Sequence, residues 1–211
     1  MNEIGFYKVN DPYGEFSNFA PSVVFLGALA WPTVEHYFQA HKFMDIATQD
    51  KIRAIESPMK AALEGRDRNN ILRSDWEDVK DSIMKKALTA KFFQHHELKK
   101  LLVSTGDAVL IEDTTNDNYW ANGGDGTGKN RLGELLMEVR EELKRISADT
   151  DLYLPPWIAF PAIDEHDMFW SMGRGEDYIG EVMQCMQKVG EEKYKSMFPA
   201  SEDWKVFYDQ W

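Results

Sequence analysis

Glu35, Gln39 and Lys42 place a carboxylate, an amide and an amine at positions i, i+4 and i+7 of one short stretch. If the stretch is helical, residues at this spacing share one stripe of its surface. A carboxylate beside a lysine amine suits a site that cleaves a bond at the anomeric carbon of a sugar. The carboxylate would stabilise the positive charge that develops at that carbon, and the amine could attack it.

A plainer interpretation of the same stretch stays open. Glu35 in the first turn of a helix would complement the helix dipole, and Lys42 would be solvated. The neighbouring side chains are mostly bulky, which predicts that the helix is largely buried. A buried Glu and Lys are costly unless they are paired or used, so burial would favour the chemical role. The stretch by itself leaves the two interpretations about even.

The helix that must carry these groups has recognisable boundaries. Pro32 cannot continue a strand ladder, and Thr33 can cap the segment that follows it. Neither Gly nor Pro occurs from Val34 to Asp45. We therefore predict one helix over this range, with Glu35, Gln39 and Lys42 on one of its faces.

The remaining elements predict a mainly helical fold with little β-structure. They are strands at Phe6–Val9 and Val23–Leu26, a helix after Ser57–Pro58 that stops near Gly65, a helix opened by a capping box at Ser74–Glu77, a shorter helix over 95–102, a buried strand at Ala108–Glu112 and a helix over 131–146. The fold class we predict is α+β. A mainly helical single domain with a small β-sheet spans residues 1–147, and a C-terminal helical extension spans residues 148–211.

The extension is acidic and rich in tryptophan. The chain carries a net charge of −12, and residues 151–211 hold 5 Lys+Arg against 12 Asp+Glu. This balance argues against generic binding along a nucleic-acid backbone, although it permits recognition of one modified nucleotide. An amphipathic helix is predicted from Ile179, Val182, Met183, Met186 and Val189. Because aromatic residues this dense are rarely exposed, we favour packing on the core over a partner-binding module; the tryptophans are Trp157, Trp170, Trp204 and Trp211.

Cysteine usage and hydropathy favour a cytoplasmic protein. Cys185 is the only cysteine, so no disulfide can form within the chain, which fits a reducing compartment. No apolar run approaches the length of a membrane span, and the first residues do not form a signal peptide. With one cysteine and five scattered histidines, we expect no structural metal.

The loop over residues 116–130 is rich in glycine and could bind an anion. Gly123–Lys129 satisfies the first seven positions of a Walker-type loop, but Asn130 stands where Ser or Thr should bind magnesium. A magnesium-dependent nucleotidase is therefore rejected. Glycines still let backbone amides approach a phosphate ahead of a helix, and Asp117 and Trp120 add a carboxylate and a stacking face. The alternative is a flexible turn.

Arg66 and Arg68 are further candidates for the site. Two arginines could clamp phosphates or stack on a base, although a solvated loop with local ion pairs is the more common reason for such a pair. His36 could also belong to the site. For the other histidines, packing or capping is the better explanation.

Five stretches of the chain, in this order, resemble the YbiA-like or NADAR N-glycosidases, a family linked to NAD and ADP-ribose metabolism. They are Tyr13–Phe19, Trp31–Phe43, Gly65–Arg68, Trp76 and Asp117–Gly133. Each stretch is weakly specific, whereas the ordered set is specific. The extension lies outside the resemblance.

The resemblance implies hydrolysis of N-glycosidic bonds and an α+β fold dominated by helices. Two substrate classes are associated with it: ADP-ribose attached to a guanine base, and phosphorylated early intermediates of riboflavin synthesis. Glu35 and Lys42 match the catalytic helix of the family. The matches in its pocket and glycine loop are Trp76, Asp117, Trp120 and Asn130, and Ala121 stands where the family more often has Gly.

From these matches we predict the roles of the site residues. Lys42 attacks C1 and forms an imine, Glu35 is the acid/base or the ribose anchor, and Asp117 positions the ribose or the base. The alternative is direct attack by water that Glu35 activates, with Lys42 binding phosphate. Neither route requires a metal or a cofactor. Substrate contacts are expected from Asn18, Phe19, His36, Gln39, Arg66, Arg68, Trp76, Trp120, Gly124, Gly126, Gly128 and Asn130.

The predicted substrate is an ADP-ribose-type or ribose-phosphate small molecule, with ADP-ribosylated DNA or a guanine nucleotide as candidate sources. A non-catalytic module that binds ADP-ribose, with the acidic extension as its partner surface, is the alternative from a different class. Such a binder would need neither Glu35 nor Lys42.

Overall fold

The longest helix among the described residues, α4 (Trp76–Gln94), packs against four other helices and a strand. The computed structural model describes residues 2–209, so Met1 and Gln210–Trp211, including the predicted core tryptophan Trp211, lie outside the described residues. The other helices are α1 (Val34–Ala40), α2 (Ile46–Arg53), α3 (Pro58–Glu64), α5 (His96–Ser104), α6 (Arg131–Ile146), α7 (Pro156–Ala159), α8 (Gly173–Val189), α9 (Glu191–Met197) and α10 (Lys205–Asp209). The strands are β1 (Glu3–Phe6), β2 (Val24–Leu26), β3 (Leu29–Trp31) and β4 (Val109–Glu112).

The predicted α+β class is confirmed, because the described residues are mainly helical and their β-structure is limited to two short pairings. Strands β1 and β4 are parallel, with Phe6 opposite Glu112. Strands β2 and β3 form an antiparallel hairpin that turns at Gly27, whose φ of 63° favours glycine. The sequence did not predict β3.

The first strand ends earlier than the sequence predicts. The expected strand Phe6–Val9 overlaps β1 only at Phe6, because Lys8 already belongs to a turn in which its carbonyl accepts a hydrogen bond from the amide of Asp11 at 3.0 Å. The predicted helices at 58–64 and 131–146 agree with α3 and α6.

Helix α1 is also shorter than predicted, and this is a correction to the expected stripe. It ends at Ala40, so Lys42 lies two residues beyond the helix. The chain leaves the helical conformation because Asp45 caps α2, accepting a bond from the amide of Thr48 at 2.8 Å with an extended ψ of 119°. The carbonyl of Lys42 then accepts the amide of Arg73 at 2.9 Å, which fixes the turn.

The capping box predicted at Ser74 is wrong. Helix α4 begins at Trp76, and Asp75 occupies the cap position without a capping hydrogen bond from its side chain. The carboxylate of Asp75 pairs instead with the guanidinium of Arg73, at 2.6 Å. The apolar face predicted for this helix is confirmed, since Trp76, Ile83 and Ala87 are buried.

The segment beyond residue 147 packs against α4, α5 and β2. Lys99 of α5 is buried and donates to the carbonyl of Leu152, and Arg174 of α8 donates to the carbonyl of Gln94 at 3.3 Å. The ring of Phe160 lies 6.3 Å from that of Phe25 in β2. Helix α8 has the predicted amphipathic character, with Val182 buried. The division into 1–147 and 148–211 stays a prediction.

None of the helices between residues 2 and 209 has the length and apolar character that crossing a membrane requires.

Candidate active site

Glu35 is a carboxylate enclosed by two amides. Its side chain is 3% exposed, and Oε1 accepts a hydrogen bond from Nε2 of Gln39 at 2.6 Å, while Oε2 accepts one from Nδ2 of Asn18. Burial raises the pKa of Glu35 to about 7, and the bond from Gln39 and the charges of Lys42 and Arg66 oppose that rise. The predicted contacts of Asn18 and Gln39 with the site are therefore contacts with Glu35 itself.

Lys42 lies beside this carboxylate although it is outside α1. It is half-buried, and its Nζ donates to the carbonyl of Gly65 at 3.3 Å. Burial lowers the pKa of Lys42, and the positive charge of Arg66 adds to this, whereas Glu35 opposes it. A lowered pKa increases the fraction of neutral amine, which is the nucleophilic form.

Three aromatic rings form one wall next to Lys42. Phe38 of α1 lies between the two predicted stacking residues, with its ring centre 5.0 Å from that of Trp76 and 5.3 Å from that of Trp120. The Nζ of Lys42 is 5.7 Å from the ring centres of both Phe38 and Trp76. Phe38 thus supports the amine and both tryptophans, a role that the sequence did not predict.

A cavity of about 750 Å³ opens in front of Lys42 and Trp76. Arg66 and Arg68 line it and are exposed, and among residues 2–209 neither forms an ion pair. Two unpaired guanidinium groups beside a lysine favour an anionic ligand such as a phosphate. The structure therefore brings the predicted arginines to the same opening as the predicted nucleophile.

Two more carboxylates lie within electrostatic reach of Glu35. One is the predicted Asp117, whose Oδ1 accepts the amides of Tyr119 and Trp120 at 2.7 and 2.6 Å. The other is Glu112 at the end of β4, which the sequence placed in a buried strand without a role. The sequence feature that could have indicated a role for Glu112 is a charged residue at the end of an otherwise apolar strand. Burial and, to a smaller extent, the charges of Asp117 and Glu35 together raise the pKa of Glu112 to about 7.

A known protein family matches this chain. The NADAR domain matches residues 5–144, which is well over half of the chain. The chain belongs to the NADAR family.

Curated relatives of this NADAR protein include two proteins named N-glycosidases. N-glycosidase YbiA of Escherichia coli is 56% identical over 140 residues, covering 66% of this chain and 88% of the relative. An N-glycosidase of Nostoc punctiforme is 42% identical over 153 residues, covering 71% of this chain and 98% of the relative. A chloroplastic riboflavin biosynthesis protein of Zea mays is 39% identical over 157 residues, which cover 67% of this chain and 25% of that longer protein.

The NADAR fold is also matched by a solved structure. The NMR structure of the E. coli protein YbiA is 54% identical in sequence and superposes with a TM-score of 0.65, covering 68% of this chain and 86% of that one. The NADAR match, the identity with N-glycosidase YbiA and this structural match together confirm the resemblance inferred from the ordered motifs.

The glycine loop of this NADAR domain is closed by its own hydrogen bonds. The amides of Gly124 and Gly128 bond to the side-chain and backbone oxygens of Asn122 at 2.8 and 2.9 Å. Gly126 is exposed with a φ of 82°. A side chain at Gly128 would strike the backbone of residues 121–123, so glycine is required there for close packing of the loop. Phosphate binding by this loop stays a prediction.

In Asn130 and in His36, both polar atoms of the side chain form hydrogen bonds within the protein. Asn130 Oδ1 accepts the amide of Glu112 at 2.9 Å, and its Nδ2 donates to the carbonyl of Leu110 at 2.8 Å. His36 is buried, with Nε2 donating to the carbonyl of Ile55 at 2.9 Å and Nδ1 bonded to the hydroxyl of Thr33 at 2.8 Å. Both residues therefore position the backbone around the site. Phe19 lies half-buried, next to Asn18 in the chain.

Proposed function

We propose that this protein is an N-glycosidase that hydrolyses the N-glycosidic bond of an ADP-ribose-type or phosphoribosyl substrate. The observation that carries the proposal is buried Glu35 within electrostatic reach of Lys42, whose pKa is lowered and which lines a cavity with Trp76 and two arginines that form no ion pair among the described residues. A pure binding module would gain nothing from burying these two ionisable groups. The N-glycosidase names of the E. coli and Nostoc relatives support the same activity.

The arrangement supports a route through an imine. The neutral amine of Lys42 attacks C1 as the bond to the base nitrogen breaks, and the electron pair leaves with that nitrogen, which takes up a proton. Opening of the ribose ring then gives an imine, and water hydrolyses it to release the sugar and the amine. Glu35 stabilises the positive charge near C1 or anchors the ribose hydroxyls. Asp117 holds the ribose or base, and Trp76 and Trp120 stack on the base.

The favoured substrate is ADP-ribose attached to guanine, in DNA or in a nucleotide. Its diphosphate suits the exposed Arg66 and Arg68, and its base suits the tryptophans. The second candidate is a phosphorylated intermediate of the riboflavin pathway, which the name of the maize relative supports. A cytoplasmic location agrees with the single free cysteine.

Product analysis on a small substrate panel tests the activity and names the substrate. The protein is incubated with ADP-ribosylated guanine DNA and with the phosphorylated riboflavin intermediates, and the released sugar is measured by mass spectrometry. Release of ADP-ribose or of ribose 5-phosphate supports the enzyme and identifies its class. Tight binding to ADP-ribose with no release from any substrate would instead support the binding module.

Borohydride trapping tests the imine route. A covalent adduct should appear during turnover, map to Lys42 and be absent from Lys42→Ala. Lys60→Ala, which removes an exposed lysine of α3, is the matched control and should retain the adduct. Turnover without any adduct would overturn the imine in favour of water activated by Glu35.

A further inference from the structure

The loop between α3 and α4 presents two adjacent apolar side chains to solvent at the opening of the candidate active site. Ile71 is 91% exposed, the highest value for a large apolar side chain among the described residues, and Leu72 is also exposed. Both line the cavity that Lys42 and Trp76 share. Single apolar residues on a surface are common, whereas a pair of them at the opening of a site indicates a surface that a ligand covers.

Polar residues fix the shape of this loop without help from its apolar pair. Oδ1 of Asp67 accepts hydrogen bonds from the amide and from Nδ2 of Asn69, both at 2.9 Å. Nδ2 of Asn70 donates to Oε1 of Glu64 in α3 at 3.0 Å. The loop is therefore formed before a ligand arrives, and the side chain of Ile71 is already in place to contact one.

The charges at the same opening favour a ligand with phosphate groups. Arg66 and Arg68 line it and form no ion pair among residues 2–209. Of the two carboxylates there, Asp67 accepts the hydrogen bonds within its own loop, and Glu77 pairs with Lys80. The groups that remain for a ligand are two guanidinium groups and an apolar surface. Phosphates joined to a flat base match both of them.

We propose that Ile71 and Leu72 form the contact surface for a second nucleobase of the substrate, in addition to the base whose glycosidic bond is cleaved. This inference rests on the proposed N-glycosidase function. One cavity of about 750 Å³ is lined both by this pair and by Lys42 and Trp76, and clefts of that size hold drug-sized ligands. The two arginines line the same cavity and can bind the phosphates that join the ribose to a second base.

The second base has two candidate sources. One is the adenine of the ADP-ribose group, which is joined to the ribose through the diphosphate. The other is the base next to the modified guanine in a DNA strand. Either base would lay an apolar face on Ile71 and remove that area from water. A phosphorylated riboflavin intermediate carries only the ring that is released, so this contact would favour the nucleotide substrates over it.

Ile71→Ser tests the contact, because serine removes the apolar surface from a residue that is not part of the core. With guanine-linked ADP-ribose, KM should rise about tenfold, while kcat stays within about twofold because Ile71 does not touch the reacting atoms. Ile71→Met keeps an apolar surface and should retain the wild-type values. Ile46→Ser is the matched control, since this isoleucine of α2 is 71% exposed but does not line the cavity.

A comparison of two guanine substrates identifies the source of the base. One is an ADP-ribosylated guanosine nucleotide, which has no neighbouring base, and the other is ADP-ribosylated guanine in DNA. A higher KM for both substrates in Ile71→Ser would assign the contact to adenine, and a higher KM for DNA alone would assign it to the neighbouring base. Ribose 5-phosphate has no base, so it should inhibit the wild type and Ile71→Ser with the same inhibition constant.

The possible results separate this inference from the proposed function. A wild-type protein that cleaves no panel substrate would refute the proposed function, and with it the second base. Cleavage of the riboflavin intermediates alone, or Ile71→Ser within twofold of the wild type on both guanine substrates, would refute the second base and leave the N-glycosidase intact. Weaker inhibition of Ile71→Ser by ribose 5-phosphate would show general damage to the site and likewise overturn the inference.

Discussion

Three carboxyl groups lie within electrostatic reach of one another, and their immediate neighbours differ. Glu35 has amide donors on both oxygens, Asp117 accepts two backbone amides, and Glu112 has no donor among the described residues. The sequence identified Glu35 and Asp117 as members of the site but could not distinguish their surroundings. Donors such as Asn18 come from distant positions in the chain, and spacing along one helix does not reveal them.

The raised pKa of Glu112 predicts how stability depends on pH. Its folded-state pKa of about 7 lies above the usual 4.5, so between these values the folded protein keeps a proton that the unfolded chain releases. The contribution of Glu112 to stability is therefore complete below about pH 4.5 and is lost as the pH rises through 7.

Glu112→Gln removes this titration. Relative to the wild type, the variant should gain on the order of 2–3 kcal/mol in free energy of unfolding between pH 5 and pH 8. Urea denaturation at both pH values measures the difference. A difference that stays constant with pH would show that Glu112 titrates normally in the folded protein.

At the scale of elements, the site depends on close contacts between segments that are far apart in sequence. The end of α3 touches α1, because a Cβ at Gly65 would lie 2.0 Å from Oε1 of Gln39. Helix α4 reaches the first loop through Lys91, which is fully buried and donates to the carbonyls of Glu15 and Ser17 at 2.5 and 2.9 Å. These contacts hold the two amides that enclose Glu35.

Gly65→Ala should impair the site through Gln39. The added methyl group would push the Gln39 amide away from Glu35, because the Cβ atom of Gln39 would also lie only 2.9 Å from the new methyl carbon. We expect kcat/KM to fall by about tenfold and the free energy of unfolding to fall by about 1–3 kcal/mol. Gly180→Ala, where the methyl group would meet open space in α8, is the control and should keep full activity.

Lys91→Met should loosen the segment that carries Asn18. Methionine fills a similar volume but leaves the carbonyls of Glu15 and Ser17 without a donor, which should cost about 1–3 kcal/mol of stability. Because Asn18 follows this segment and donates to Glu35, kcat should also fall. Denaturation and steady-state kinetics measure both effects, and an unchanged kcat would show that Asn18 is positioned independently of Lys91.

At the scale of the whole molecule, the candidate cavity and the docking point of Arg174 in the C-terminal segment lie at opposite ends of α4. Trp76 begins this helix at the cavity, and Gln94 ends it where Arg174 docks. Eighteen residue steps of about 1.5 Å separate these ends by about 27 Å. The NADAR match ends at residue 144, so the C-terminal segment lies outside it.

Phe160→Ala tests this separation. The ring is buried between Phe25, Phe169 and Tyr178, so its removal should lower the free energy of unfolding by about 3–5 kcal/mol. At a temperature where both proteins remain folded, kcat/KM should stay within about twofold of the wild type. A large loss of kcat/KM in the folded variant would instead show coupling between the segment and the site.

Much of this architecture could be predicted, and the failures have physical causes. Helices α3 and α6 and the burial of α4 follow from local patterns of apolar residues and caps. The early end of α1 could not be predicted, because it depends on the cap that Asp45 provides for α2 and on a bond from Arg73, 31 positions after Lys42. The contacts of Phe38 with both tryptophans and the raised pKa of Glu112 likewise depend on tertiary neighbours.

The position of Lys42 on a turn, half-buried and with a lowered pKa, makes it a selective chemical handle. At a given pH the lowered pKa leaves more of this amine neutral than of an ordinary exposed lysine, and the amine opens to the cavity. The pKa values of Lys91 and Lys99 are lowered too, but both side chains are buried and inaccessible to reagents. The fraction of molecules that a dilute amine-reactive aldehyde phosphate labels at Lys42 would thus measure the fraction with an intact site. The natural substrate need not be known.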